Sequence, residues 1–112
     1  MLAVGEHLLG EVDDQTLRMT TALGGGVGLT QKELCGAFSS GVLLIGALHG
    51  RSVPDVDDIK CAQLVSSFRQ KFLEDFDSTI CQEIRATGYG EEGKKPCSEV
   101  VVRTAKVLFD TL

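Results

Sequence analysis

The stretch "LGGGVGLTQKELCGAFSSG", Leu23–Gly41, joins a run of glycines to a cysteine that heads a segment of small residues. Gly24, Gly25, Gly26 and Gly28 end any helix arriving from the N-terminal side, because glycine loses the most conformational freedom on becoming helical. Thr30 and Glu33 stand at capping-box spacing, where each side chain satisfies a backbone N–H of the other. That spacing predicts a helix from Thr30 to about His49. The helix is apolar around most of its circumference, as expected of one surrounded by others. Gly36 with Ser40, and Ala37 with Gly41, place small residues four apart on it, so a neighbouring backbone can approach closely.

Working outward, the periodicity is helical nearly everywhere and no alternating strand pattern of useful length occurs. The expected fold is all-α: residues 1–112 form a single-domain bundle of about five to six helices. Leu2 to Leu9 reads as a first helix closed by Gly10, and Asp13 or Asp14 caps a second that runs to about Leu23. Pro54 and the acidic residues after it mark a loop and a helix start. The helix from about Val56 to Phe76 carries Cys61, Leu64, Val65, Phe68, Phe72 and Phe76 on one face. Ser78 caps a short helix through Cys81 and Ile84. The polar loop "TGYGEEGKK" then leads to Pro96, which suits the first turn of a last helix because its missing N–H is not needed there.

With five Phe and one Tyr, the core is expected to be mainly aliphatic. The net charge of −5 and the absence of a Lys/Arg cluster argue against nucleic-acid binding. The most apolar window, Leu34 to Leu48, falls short of the roughly 20 residues that cross a bilayer, so no membrane insertion is expected. Glu6 interrupts the N-terminal apolar run and no basic leader precedes it, so a cytoplasmic location is the default.

The chemistry lies with four cysteines, Cys35, Cys61, Cys81 and Cys97. None forms a CxxC pair, so zinc-ribbon and thioredoxin signatures are absent. Cys97 follows Pro96 at a helix start, where free N–H groups and the helix dipole stabilise a thiolate, and Cys81 lies in the first turn of its helix. Cys35 sits deeper, past the Thr30 cap, where the dipole helps less. Three cysteines near three helix starts can converge at one end of a bundle, either for thiol–disulfide chemistry or as thiolate ligands of a metal. The bland alternative is that they fill space, as buried cysteines often do, in a helical binding or assembly module that forms homo-oligomers. Cys61, on the Val65–Phe68–Phe72 stripe, reads as core. His7 and His49 lack metal-ligand spacing. "GGGVG" holds a fragment of the dinucleotide fingerprint without the preceding strand, and reads as a helix–helix connector.

Taken together, "ALGGGVG", "CGAFSSGVLLIGALHGR", "DFDSTICQEI" and "KPCSEVVVRTAKVL" resemble the C_GCAxxG_C_C family, whose redox role is inferred from its cysteines. The resemblance implies that Cys35 is the motif cysteine and that Cys81 and Cys97 are the third and fourth family cysteines. Cys61 has no counterpart. It also implies a further cysteine on the first helix, ahead of the point where this chain begins. Ser40 stands where the family has glycine, and Gly41 follows at once. Related domains in cytochrome-associated electron-transfer proteins imply an iron–sulfur cluster or other metal as a cofactor. Such clusters generally take four thiolates. The expected site is therefore Cys35, Cys81 and Cys97, acting as redox thiols or metal ligands toward a redox partner. Cys97 is the expected nucleophile, with Cys81 or Cys35 resolving.

Overall fold

The apolar segment that follows the glycine run becomes the helix against which the others assemble. The computed structural model describes residues 2–90 and 95–112, so the middle of the expected polar loop, residues 91–94, lies outside the described residues. Six helices are present among them: α1 Leu2–Leu9, α2 Asp14–Thr21, α3 Gly36–His49, α4 Ile59–Phe76, α5 Cys81–Ala86 and α6 Cys97–Thr111. The all-α expectation is correct. α3, α4 and α6 pack on one another, and α1 lies against α3. No described helix is long and apolar enough to cross a membrane.

Most helix boundaries follow the local chemistry read from sequence. The Asp13 side chain accepts from the Thr16 N–H at 2.7 Å, fixing the start of α2. α4 ends on Asp77 in the left-handed region, φ 62°, a common way to release a helix. Asp58 pairs with Arg51 at 3.6 Å just ahead of α4, and the Asp57 carboxylate accepts from the Ile59 N–H at 3.2 Å where the helix begins. Ser78 acts two residues ahead of the N-cap position of α5: its Oγ accepts from the Ile80 N–H at 3.0 Å and donates to Glu83.

The core departs from expectation. Four of the five Phe, namely Phe38, Phe68, Phe72 and Phe76, gather with Tyr89 at its centre, and aliphatic side chains surround them. Phe38 stacks on Phe68 with ring centroids 5.5 Å apart, and Phe72 meets Phe76 at 4.6 Å. Few aromatics can still dominate a small core because each buries about 150–250 Å². The stripe on α4 therefore supplies a ring ladder. α3 can lie against that ladder because Gly41 has no side chain: a Cβ there would overlap the Phe68 ring. Cys61 lies on the same helix, half-buried against the core, as its position on the stripe implies.

Candidate functional site

The largest difference between sequence and structure falls in the stretch from Leu23 to Gly41. α3 starts at Gly36 with Cys35 as its N-cap, and not at Thr30. The glycines do more than end α2. Gly25, Gly26, Val27, Gly28 and Leu29 all have positive φ, between 59° and 74°, and form a left-handed turn. Several of its N–H groups bond within the segment: Leu29 donates to the Gly24 carbonyl at 3.1 Å, Gln31 to Gly25 at 2.8 Å and Glu33 to Gly26 at 3.2 Å. The Thr30 hydroxyl turns back to the Gly26 and Val27 carbonyls, at 2.8 and 2.9 Å, instead of capping a helix. The capping box therefore loses to a competing turn, as threonine side chains readily allow. The Leu29, Gln31 and Glu33 donors are thus committed to the turn itself.

This turn delivers the chain into a short antiparallel pairing with the segment ahead of α5. Leu34 faces Ile80. Around them, the Cys35 N–H donates to the Thr79 carbonyl at 2.7 Å, the Cys81 N–H to Glu33 at 2.9 Å and the Gln82 N–H to Gln31 at 2.8 Å. Successive residues of paired strands alternate faces, so Cys35 and Cys81 both lie on the face opposite Leu34 and Ile80. They are diagonal neighbours, a relation that spans about 7–8 Å between paired strands. Gly26 packs beneath them. A Cβ on Gly26 would stand 2.6 Å from the Cys81 Cβ, an approach only glycine permits.

Cys97 arrives from the other side. The Gly90 N–H donates to the Lys95 carbonyl at 2.9 Å, and the Lys95 N–H to Gly88 at 3.0 Å, so the two ends of the loop from Gly88 to Lys95 are clamped together. Tyr89 is buried and its hydroxyl accepts from Arg103 of α6 at 2.7 Å. Pro96 and Cys97 are thereby set at the head of α6.

Cys35, Cys81 and Cys97 line a single cavity of about 450 Å³. Cys81 brings Ile84 and Arg85 with it, and Cys97 brings Val100 and Val101. Both sets are i, i+3, i+4 triplets on one helix face. Gly36 and Ala37 of α3, with Gly25, Leu29 and Gln31 of the turn, complete the wall. Cys61, His7 and His49 lie outside it. His7 packs edge-on against Phe109, with centroids 5.6 Å apart. Arg85 and Gln31 are site residues that the cysteine pattern alone does not reveal. The spacing of four between Cys81 and Arg85 was the available signal.

The three thiols differ in surroundings. Cys97 is exposed, Cys81 buried and Cys35 half-buried, and all are free thiols. Burial pushes the Cys35 thiol above its ordinary pKa. The Phe38 and Ala37 N–H groups face its sulfur without closing to a capping hydrogen bond and oppose that shift, whereas negative charge at Cys97 adds to it. Burial also pushes Cys81 upward, as does negative charge at Cys35. Arg85 acts in the opposite direction, and charge at Cys97 raises it again. Cys35 and Cys81 therefore sense charge on the neighbouring thiols.

Thiolates sharing one tetrahedral metal lie about 3.8 Å apart, given Zn–S bonds of about 2.3 Å. Among the described residues no group of three or more His, Cys, Asp or Glu gathers closely enough to hold a metal ion. The three cysteines share a cavity, and none of the described side chains joins them into such a ligand cluster.

An all-α bundle that presents three free thiols to one cavity defines a cysteine-centred helical protein. The chain belongs to the C_GCAxxG_C_C family: the family model, described as "Putative redox-active protein (C_GCAxxG_C_C)", matches residues 1–111. Neither a curated protein nor a solved structure matches the chain significantly.

Proposed function

We propose that this is a thiol–disulfide redox protein whose working groups are Cys35, Cys81 and Cys97. The observation that carries the reading is the convergence of these three cysteines, from three separate elements, on one cavity that excludes Cys61. Cys97 is the attacking group. It is exposed and heads α6, and the thiolate is the nucleophile in such exchange.

In the first step the Cys97 sulfur attacks one sulfur of a substrate disulfide, forming a mixed disulfide and expelling one substrate thiolate. In the second, Cys35 or Cys81, having lost its proton to solvent, attacks the Cys97 sulfur and expels the other substrate thiolate. One substrate disulfide is reduced to two thiols while two protein thiols are oxidised to one disulfide. Burial, which raises the pKa of Cys35 and Cys81, favours their protonated forms until one of them ionises to attack the mixed disulfide.

The test is oxidation of the reduced protein with a small disulfide, followed by alkylation of the remaining thiols and peptide mapping. The expected product contains a disulfide from Cys97 to Cys35 or Cys81, with Cys61 still free. Cys97→Ser abolishes that disulfide, and Cys61→Ser leaves it unchanged. Formation of only mixed disulfides, at all four cysteines alike, overturns the reading.

A further inference from the structure

The redox reading leaves open what kind of disulfide enters the cavity, and the wall chemistry restricts it. About 450 Å³ accommodates a small molecule, and two of the three thiols face that space from buried or half-buried positions. Among the described residues the lining contains one cation, Arg85, and no carboxylate. Arg85 is held there: its guanidinium lies across the backbone of Gly90, φ 90°, so closely that a Cβ on Gly90 would overlap it. Among the described residues the two ion pairs join Arg51 to Asp58 and Arg103 to Asp75, so Arg85 takes part in neither. Its charge acts on the Cys81 thiol, one of the three facing the cavity. Gln31 adds an amide to the same wall, while Leu29, Ile84 and Val101 give the remainder an apolar surface.

We infer that the cavity selects a small anionic disulfide, one bearing a carboxylate or comparable acidic group, and that Arg85 is the residue that recognises it. This rests on the thiol–disulfide reading of the same three cysteines. The anion pairs with the guanidinium, whose planar fork matches a carboxylate, while the substrate sulfurs lie over Cys97. The overall charge of the protein works against such a substrate. At a net charge of −5 the chain as a whole repels anions, so a preference for an anionic disulfide has to arise locally.

The test compares three aliphatic disulfides of similar size: dithiodipropionate (anionic), hydroxyethyl disulfide (neutral) and cystamine (cationic). Each rate of oxidation of the reduced full-length chain is normalised to the rate of the same probe with free mercaptoethanol. The expected order is anionic over neutral over cationic, with about a tenfold span at low salt that narrows as ionic strength rises. Arg85→Gln removes the span, Arg85→Glu inverts it and Arg85→Lys retains most of it. The wild-type order and its salt dependence decide the matter even if an Arg85 variant folds poorly. Equal normalised rates for all three probes, with the Cys97 disulfide still forming, overturn the anion selectivity and leave the redox reading standing. Failure of every probe to give an intramolecular disulfide overturns both.

Discussion

Substituting Gly26 by alanine places a methyl group at the tightest contact beneath the thiol cavity. Two costs add. The backbone φ of 74° is a left-handed conformation that costs a side-chain-bearing residue about 1–2 kcal/mol. The new Cβ would also stand 2.6 Å from the Cys81 Cβ, 2.7 Å from the Gln31 Cα and 2.9 Å from the Gln31 carbonyl carbon. None of these atoms ends a flexible side chain, so relief requires moving backbone, and overpacking of that kind costs about 1–3 kcal/mol. The expected total is about 2–5 kcal/mol, or roughly 10–20 °C in melting temperature for a chain of this size. Gly28→Ala is the matched control, with φ 62° and nothing within 4 Å of its Cβ, so it carries the conformational cost alone. Urea unfolding followed by circular dichroism measures both. Displacing Cys81 by about 1 Å should also slow intramolecular disulfide formation by up to about a hundredfold in Gly26→Ala. Gly28→Ala should retain the wild-type rate. Equal loss of stability in the two variants, with equal disulfide kinetics, would refute the claim that the left-handed turn is packed against Cys81.

Three further outcomes follow from the same geometry. Gly41→Ala drives a methyl into the Phe68 ring and should lose about 1–3 kcal/mol, whereas Gly46→Ala, with open space at its Cβ within the same helix, should gain about 0.5–1 kcal/mol in the same unfolding assay. Because the folded state holds the Cys35 and Cys81 protons more tightly than the unfolded chain does, their contribution to stability is fully present below the ordinary thiol range, near pH 8.5. It declines as pH rises through the unfolded pKa and then the raised folded values. Urea midpoints measured from pH 7 to 10 should therefore fall, and fall less steeply in Cys35→Ala; a flat profile would contradict the burial of these thiols. Iodoacetamide under native conditions should label Cys97 first, by about tenfold or more over Cys35 and Cys81, as mass mapping at short times would show.

The helical bundle was legible because its signals are local. Asp13 caps α2, Gly10 and Gly50 close their helices, and the stripe from Cys61 to Phe76 marks the buried face of α4. The convergence of Cys35, Cys81 and Cys97 was legible only as a family pattern combined with their closeness to helix starts. The devices that bring them together are long-range backbone hydrogen bonds, such as Cys35 to Thr79 and Cys81 to Glu33, which leave no periodic trace in the sequence. The start of α3 was misread for a related reason. Thr30 and Glu33 satisfy the local capping rule, but Gly25, Gly26 and Gly28 allow a left-handed turn whose own hydrogen bonds consume the N–H groups a cap would have served.

The misplaced helix start changes the chemistry assigned to Cys35. About five residues past a helix cap, a cysteine would draw little help from the dipole; as N-cap it stands where chain direction changes, with the Phe38 and Ala37 N–H groups facing its sulfur. Those groups oppose the burial that otherwise keeps the thiol protonated. Cys81 is balanced in the same manner, with Arg85 set against burial. Each of the two thiols closest to the core therefore has features favouring its proton, burial foremost, and others favouring its loss, while Cys97 is exposed at the head of α6. Cys61 has the half-buried environment but lies outside their cavity. What separates the three cavity cysteines from Cys61 is access to a shared space from the ends of helices, and that difference is what replacing Cys61 alone and Cys97 alone by serine would expose.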